Sequence, residues 1–281
     1  MLKTYGKTYI SRELTHFDPD KTFNCGQCFR FEKNGNVWEG VAKGKYIGIK
    51  KDGDGAVFFS GTDADEFRSI WRDFLDCDTD YDSIADGFSE HGGVMSDAVA
   101  ISRGIRILRQ DPWETLCSFI ISQNNNIPRI KKIINSLCRE YGEKITSPDG
   151  REFYTFPTPK ALFEAGEEGI YALKTGFRAK YLYDAAKKVV LRDIDLKAVY
   201  SMDTASGAEY LKQIKGVGDK VSACVLLFAY HKTDSFPIDI WVKKILKKYF
   251  DGKVPELGPY AGIAQQYLFF YERYIVNGKE S

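Results

Sequence analysis

A tight turn between two helical segments, within the run from Leu211 to Val221, constrains this chain more than any other feature. The first segment is amphipathic and reaches Gln213, and the turn itself is Gly216-Val217-Gly218. Two glycines one residue apart permit positive φ and let another backbone approach the turn closely. The run predicts a helix-hairpin-helix whose two helices pack through the apolar positions Leu211, Ile214, Val217 and Val221.

The exposed N–H groups of such a turn, and of the helix that follows it, form an anion site. A DNA phosphate suits that site, so we expect Gly216, Val217 and Gly218 to bind the DNA backbone. A plain turn between two helices, without a ligand, remains the alternative. The net charge of +1 does not decide between them, because a sum over the whole chain can conceal a local basic face.

Lys220 has an unusual position, in the first turn of the second helix of the hairpin. A cation there opposes the helix dipole, so the position favours the neutral amine. A neutral amine is a nucleophile, which makes Lys220 a candidate catalytic residue. An exposed lysine that contacts a phosphate explains the position equally well.

Asp239 lies in Pro237-Ile238-Asp239, directly before the next helical segment. The intervening helix and a return loop bring it back towards Lys220. Its simplest role is a helix N-cap, which would hold the carboxylate rigidly. A fixed carboxylate near an amine nucleophile can also stabilise positive charge that develops on a sugar during cleavage of a C–N bond.

The composition of the chain changes near residue 97. Before it, short aromatic and β-branched runs alternate with glycine turns and predict an antiparallel, twisted β-sheet. After it the periodicity is helical, with a helix start at Asp111-Pro112. We expect an α+β fold with an N-terminal β-rich domain, residues 1–97, and a two-lobed all-helical body that contains the hairpin, residues 98–281. One lobe is expected to draw on residues 98–110 and on a C-terminal helix at 260–275.

Several functional classes are excluded by residue content. No stretch approaches the ~18 uninterrupted apolar residues of a membrane helix, and residues 1–6 do not resemble an export signal, so a cytoplasmic protein is expected. The three histidines lie far from a matching cysteine, so Cys25 and Cys28 are not expected to hold zinc. The same shortage of histidine disfavours Ser-His-Asp and Cys-His catalysis and leaves Lys, Asp or Glu to carry any chemistry.

Taken together, these motifs resemble those of the 8-oxoguanine DNA glycosylases, a family of helix-hairpin-helix enzymes, over nearly the whole chain. Lys220 after Gly-Val-Gly is similar to the family's catalytic lysine, and Asp239 in Pro-Ile-Asp to its aspartate. The resemblance implies a bacterial-type, monomeric enzyme of base excision repair that acts on double-stranded DNA containing 8-oxoguanine opposite cytosine. It implies no cofactor and no catalytic metal, although a structural cation at the hairpin is compatible with it.

The resemblance also assigns residues that would contact the DNA. Gly26, in Asn24-Cys25-Gly26-Gln27-Cys28-Phe29-Arg30, would read the N7–H that distinguishes 8-oxoguanine from guanine. The expected base pocket consists of Gly26, Cys224, Gln265 and Phe269. Asn124 would fill the gap left by the flipped base, Phe177 would act as a wedge, and Arg129 and Arg178 would contact the orphaned cytosine. Trp241 would join the phosphate-binding group, at a position where animal members carry a histidine.

The implied reaction begins with attack of Lys220 on C1′ of the sugar while Asp239 stabilises the developing charge. The base leaves, and β-elimination from the resulting imine cuts the strand, so the enzyme would be both glycosylase and lyase. A glycosylase for alkylated bases would keep the aspartate but lack the lysine. An endonuclease III-like enzyme would end in a four-cysteine iron–sulfur loop, whereas the last cysteine here is Cys224. A non-catalytic DNA-binding module is the alternative from a different class.

Overall fold

The computed structural model describes residues 7–14, 16–53, 55–276 and 278, without the side chains of 274 and 275. Residues 1–6, on which the expectation about export rests, lie outside the described residues. An antiparallel sheet of five strands comes first, in the spatial order β1-β5-β4-β3-β2. Its strands are β1 (Thr8–Ser11), β2 (Phe31–Asn34), β3 (Val37–Ala42), β4 (Lys45–Lys51) and β5 (Val57–Ser60).

The predicted sheet is confirmed, with two differences at its edges. Strand β2 begins only at Phe31, although the aromatic run starts at Phe29, because the residues before Phe31 form a loop. Strand β1 was not predicted, and it pairs with β5 in the register Thr8 to Ser60. The apolar face of the sheet packs on α1 (Pro19–Asn24), on a π-helical turn at Phe67–Trp71 and on α3 (Arg72–Phe74), and α2 (Ala64–Glu66) directly precedes that turn.

Helices make up most of the remaining chain. They are α4 (Tyr81–Ser89), α5 (Gly93–Ser102), α6 (Pro112–Ile121), α7 (Ile127–Tyr141), α8 (Pro159–Ile170), α9 (Ala179–Val190), α10 (Thr204–Leu211), α11 (Asp219–Tyr230), α12 (Ile240–Tyr249) and α13 (Ala261–Tyr271). A short hairpin, β6 (Lys144–Thr146) and β7 (Glu152–Tyr154), interrupts them. The helix start predicted at Asp111 is confirmed, since its side chain accepts a hydrogen bond of 2.9 Å from the backbone N–H of Glu114.

The boundary expected between residues 97 and 98 falls inside α5. Helices α4 and α5 contribute Tyr81, Phe88, Met95 and Val99 to the same apolar core as α13, and the hydroxyl of Ser102 donates to the carbonyl of Tyr267 at 3.1 Å. Apolar contacts of this kind bind the two helices to the helical body rather than to the sheet. The division that we propose from this packing lies before Tyr81.

Candidate active site

The hairpin joins α10 to α11 and depends on a glycine at a crowded position. Gly216 has φ +83°, and a Cβ placed on it would lie 2.4 Å from the ring of Tyr181. Gly218 is different, because nothing lies within 4 Å of a Cβ built there. The apolar positions predicted to pack the hairpin are all buried, Leu211, Ile214, Val217 and Val221. Gly216 therefore shapes the turn, while Gly218 leaves open space above it.

Lys220 lies one residue into α11, with its side chain half-buried. Its amine donates a hydrogen bond of 2.8 Å to the hydroxyl oxygen of Ser122, at the C-terminal end of α6. It also lies 4.9 Å from the ring centroid of Phe119, over the ring. Within the described ranges no carboxylate forms an ion pair with this amine. The amine is thus held by a neutral hydroxyl and an aromatic face.

Asp239 caps the N-terminus of α12, as the sequence predicted. One carboxylate oxygen accepts a hydrogen bond of 2.8 Å from the backbone N–H of Val242. Asp239 and Lys220 line the same cavity, whose volume is about 570 Å³. That volume is in the range of protein sites that hold small organic groups. The two residues therefore face one cavity from the starts of two different helices.

The four residues expected to form a base pocket meet in this cavity. Gly26, Cys224, Gln265 and Phe269 all line it, and they come from four separate places in the fold. A Cβ on Gly26 would lie 3.5 Å from the ring of Phe269, so a methyl group at this position would occupy the space beside the ring. Gln265 and Phe269 are nearly fully buried, at 3% and 7% exposure, and occupy adjacent turns of α13.

The loop that carries Gly26 is fixed by its neighbour Gln27, which is completely buried. The amide nitrogen of Gln27 donates to the carbonyl of Arg106 at 2.7 Å, and its amide oxygen accepts from the backbone N–H of Leu108 at 2.8 Å. Gln110 donates back to the carbonyl of Gln27 at 2.8 Å. Buried amides that are satisfied in this way rigidify their surroundings. The backbone of Gly26, at φ +80°, is consequently presented to the cavity by a fixed frame.

Burial controls the chemistry of the thiol in the pocket. It raises the pKa of Cys224 to about 11, while Lys220 lowers that pKa and Asp239 raises it. Cys224 is therefore a neutral thiol near pH 7 and is a poor nucleophile. The amine of Lys220 is left as the candidate nucleophile of the cavity.

The loop between α6 and α7 carries exposed polar groups beside the cavity. Asn124 is exposed and has φ +46°, and Arg129 is exposed in the first turn of α7. Phe177 is 47% exposed, an unusual degree for a phenylalanine, and its ring lies 4.4 Å from the guanidinium carbon of Arg178. These three side chains are open to contact with a large partner.

Arg178 departs from the expectation of an exposed guanidinium. It is 2% exposed, and it donates to the carbonyls of Gln123, Asn124 and Thr175. A guanidinium has five N–H donors, and most of these are directed at backbone oxygens of the loop. In this structure Arg178 holds the loop that presents Asn124, and it does not reach the surface as a contact for cytosine would.

The residues predicted to bind phosphate lie in two separate places. Gly216, Val217 and Gly218 lie together in the hairpin turn, but Trp241 lines the cavity in the first turn of α12. The amine of Lys244 lies 4.7 Å from the ring centroid of Trp241. Trp241 is therefore a wall of the cavity next to Asp239 rather than part of the hairpin turn.

Some residues that line the cavity were not predicted from the sequence to do so, among them Phe119, Ser122, Gln266 and Arg273. Ser122 and Phe119 belong to the Ser-Phe-Ile-Ile-Ser-Gln run, whose neighbouring asparagines attracted more attention. The guanidinium carbon of Arg273 lies 5.7 Å from the ring centroid of Phe269. A polar residue directly before a run of amides was the only available signal for Ser122.

No metal centre accompanies these residues in the part of the chain that the structure describes. There, no cluster of three or more His, Cys, Asp or Glu side chains could hold an ion. Cys25, Cys28 and the four other cysteines are all free thiols. None of the helices built from described residues has the length and apolar content needed to cross a membrane.

Two family models cover most of the chain. Residues 9–116 match the model described as "8-oxoguanine DNA glycosylase, N-terminal domain", and residues 117–254 match "HhH-GPD superfamily base excision DNA repair protein". A solved structure of a protein named MBOgg1, with a low-affinity DNA ligand, is 37% identical, with a TM-score of 0.90 and 95% of each chain covered. The 8-oxoguanine glycosylase/lyase of Clostridium acetobutylicum, solved with double-stranded DNA that has cytosine opposite 8-oxoG, is 36% identical, with a TM-score of 0.89 and 95% of each chain covered.

The chain belongs to the 8-oxoguanine DNA glycosylase family. The N-glycosylase/DNA lyase of Saccharomyces cerevisiae is 41% identical over 157 residues, which are 52% of this chain and 42% of the yeast protein. The chain thus matches less than half of the length of that relative. In this chain the hairpin lysine, Lys220, and the capping aspartate, Asp239, both face one cavity.

Proposed function

We propose that this protein is a DNA glycosylase and abasic-site lyase that removes 8-oxoguanine, with Lys220 as nucleophile and Asp239 as its electrostatic partner. One observation carries the proposal. The amine of Lys220 lies in a cavity of about 570 Å³ together with a fixed carboxylate and the expected base pocket. An amine that only bound a phosphate would need neither the carboxylate nor a cavity of this kind.

The proposed reaction uses each of these groups in order. A damaged nucleotide is extruded from the duplex, and its base enters the cavity beside Phe269 and Gly26. The amine of Lys220 attacks C1′ of the sugar through its lone pair and releases a proton, the C–N bond to the base breaks, and the departing base takes up a proton, while Asp239 stabilises positive charge on the sugar. Opening of the sugar ring gives an imine with Lys220, and β-elimination then breaks the bond to the phosphate on the 3′ side.

The proposed substrate is duplex DNA with cytosine opposite the lesion. The exposed Arg129 and Phe177 support a contact with the duplex next to the cavity. The Clostridium enzyme, 36% identical, has been solved with a duplex of this composition. For Arg178 we propose an indirect part, since its guanidinium holds the carbonyls of Gln123 and Asn124.

The choice of opposite base gives a test of its own. If Arg129 reads cytosine, excision opposite cytosine will be faster than opposite adenine, and Arg129→Ala will reduce that ratio by about tenfold. Arg139→Ala, at the other end of α7, is the matched control and leaves the ratio unchanged. Equal rates opposite all four bases in the unmodified protein would refute the assignment.

The proposed setting is the chromosome in a bacterial cytoplasm, where the protein acts as a monomer. Every residue assigned to the site comes from one chain, so a second copy is not required for chemistry. The six free thiols are in keeping with a reducing compartment. Sedimentation of the protein with and without a lesion duplex tests the monomer directly, and a dimer in both states would contradict it.

Strand cleavage under single-turnover conditions tests the proposed function as a whole. A labelled duplex with 8-oxoguanine opposite cytosine should be cut by the unmodified protein and by Lys187→Gln, an exposed lysine of α9. Lys220→Gln should lose cleavage by at least about 1,000-fold, because it removes the nucleophile. Cleavage by Lys220→Gln at the rate of the control would overturn the proposal.

A further inference from the structure

The ring of Tyr181, in the first turn of α9, contacts two parts of the fold that are expected to meet DNA. It lies edge-to-face with the ring of Phe177, four positions earlier, with 6.0 Å between the ring centroids. It also lies against the hairpin turn, since a Cβ on Gly216 would be 2.4–2.7 Å from three atoms of the Tyr181 ring. No side chain fits between the turn and the ring. Tyr181 therefore joins the proposed wedge to the proposed phosphate site.

The ring of Phe177 is held in place although it is 47% exposed. The guanidinium carbon of Arg178 lies 4.4 Å from its ring centroid, and Arg178 is itself fixed by the carbonyls of Gln123 and Asn124. Edge-to-face aromatic pairs and cation–ring contacts both favour particular orientations of a ring. Phe177 thus has two ordered neighbours, Arg178 and Tyr181, and presents its exposed surface in a set direction.

The hairpin turn is attached to α9 at a second point. Asp184, three positions after Tyr181, accepts a hydrogen bond of 2.8 Å from the backbone N–H of Lys215, the residue before Gly216. Residues three apart lie on one face of a helix. The turn is therefore bound to this face of α9 by a hydrogen bond and by the packing of a ring, and it cannot shift along the helix without losing both contacts.

We infer that Tyr181 is a positioning residue that holds the ring of Phe177 at a fixed place relative to the hairpin turn, so that binding of the turn to the DNA backbone directs this ring between the bases. The inference rests on the proposed function, in which Phe177 is the wedge. Extrusion of a nucleotide costs unstacking free energy, and a wedge that is already ordered offsets that cost without losing further rotational freedom. Both contacts of Tyr181 are made by ring atoms, so its hydroxyl is not needed.

Substitutions on α9 separate positioning from general stability. Tyr181→Phe is the conservative variant, because it keeps the ring and both contacts. Tyr181→Leu and Tyr181→Met keep an apolar side chain but remove the aromatic edge, and the second is used if the first does not fold. Tyr183→Leu is the matched control, since Tyr183 is also half-buried on α9 but stacks on Phe163, with 5.8 Å between ring centroids. Urea unfolding shows how much stability each variant loses.

Extrusion is measured apart from chemistry in a Lys220→Gln background, at saturating protein so that differences in affinity do not enter. The duplex has 8-oxoguanine opposite cytosine and 2-aminopurine beside the lesion, because the fluorescence of 2-aminopurine rises when its neighbour no longer stacks on it. Tyr181→Leu should slow this rise about tenfold. Tyr181→Phe and Tyr183→Leu should stay within about twofold of the background protein. Single-turnover excision by the same variants with Lys220 present should give the same order of rates.

A double-mutant cycle tests whether Tyr181 acts through the wedge. Phe177→Leu should itself slow extrusion, since it removes the ring that enters the duplex. Addition of Tyr181→Leu to Phe177→Leu should then slow extrusion by less than about twofold, because the ring that Tyr181 positions is already absent. A further loss of about tenfold would show that Tyr181 supports only the turn or the fold, and it would overturn the inference.

The remaining outcomes are also decisive. Slower extrusion and excision in Tyr181→Leu, with normal rates in Tyr181→Phe, support the positioning role. Equal losses in Tyr181→Leu and Tyr183→Leu would show a structural role and overturn it, as would a Tyr181→Leu variant with normal rates. An unmodified protein that leaves 8-oxoguanine in place would overturn the proposed function itself, and the positioning role with it.

Discussion

The amine of Lys220 donates to the hydroxyl oxygen of Ser122 across 98 positions of sequence, at 2.8 Å. The same hydroxyl donates its own proton to the carbonyl of Phe119 at 2.8 Å. Its oxygen is therefore available only as an acceptor for the lysine. This arrangement joins the end of α6 to the start of α11 and aims the amine into the cavity.

Replacement of Ser122 by alanine removes that acceptor without touching the nucleophile. Ser122→Ala should slow single-turnover excision about tenfold, or ~1.4 kcal/mol, because the amine loses its fixed orientation. Ser136→Ala, on an exposed face of α7, is the control and should leave the rate unchanged. An unaltered rate in Ser122→Ala would mean that the hydroxyl does not orient the amine.

Asp239 caps a helix and has a proposed catalytic role. The substitution Asp239→Asn separates the two roles, because it keeps the cap and removes the charge. Asparagine caps a helix as well as aspartate does, so Asp239→Asn should unfold at nearly the same temperature. The excision rate should fall by about 100-fold or more, because the negative charge is lost. Asp203→Asn, at the equivalent cap of α10, should change neither quantity. A large drop in melting temperature would instead indicate that the charge matters for folding.

Substitution of the two hairpin glycines should have different effects, one on folding and the other on DNA binding. Gly216→Ala places a methyl group against the ring of Tyr181 at a positive φ, so it should destabilise the fold by about 2 kcal/mol or more. Gly218→Ala meets open space and should fold normally. If a DNA phosphate approaches the turn closely, Gly218→Ala should nevertheless bind duplex DNA more weakly. Chemical unfolding and a binding titration distinguish the two, and normal DNA binding by a folded Gly218→Ala would argue against phosphate contact.

A buried carboxylate away from the cavity, Asp76, should make the stability of the fold fall at low pH. Asp76 accepts hydrogen bonds from Tyr81 at 2.8 Å and from the ring of His231 at 2.9 Å, and it pairs with Arg109 at 2.8 Å. Burial alone would raise its pKa, but these partners outweigh burial and hold the pKa of Asp76 well below its usual range. The charged form is favoured by folding, so this contribution is present above pH ~4 and is lost as the pH falls through the lowered pKa.

Asp76→Asn should therefore lower the free energy of unfolding by about 3 kcal/mol at pH 7, because it leaves buried partners without a charge. The difference from the unmodified protein should shrink as the pH is lowered below ~4. Asp78→Asn removes an exposed ion pair with Arg72 and should cost less than about 1 kcal/mol at any pH. Urea unfolding across this pH range measures both, and a constant difference for Asp76→Asn would contradict the account.

Much of the fold could be predicted because its signals are local. The cap at Asp111 and the glycine that follows α7 mark helix ends by their own chemistry. Strand β1 and the place of α5 could not be predicted, since each depends on a distant partner, β5 in one case and α13 in the other. Register with a remote strand and packing with a remote helix leave no periodic trace in the segment itself.

Some residues of the site could likewise be predicted from local signals, and others could not. Lys220 and Asp239 could be found because Lys220 lies in the first turn of a helix and Asp239 directly precedes one, where a charged residue is conspicuous. The burial of Arg178 and the contact between Gln265 and Gln266 depend on which carbonyls and amides are nearby in space. Such pairings are properties of the folded chain and have no signature in residue spacing.

Covalent capture of the imine tests the central claim most directly. The protein is mixed with a duplex that has 8-oxoguanine opposite cytosine, borohydride is added, and the adducted peptide is identified by mass spectrometry. We expect a DNA adduct on Lys220, retained in Lys187→Gln and absent from Lys220→Gln. An adduct on another residue, or excision of the base without any adduct, would contradict Lys220 as the nucleophile.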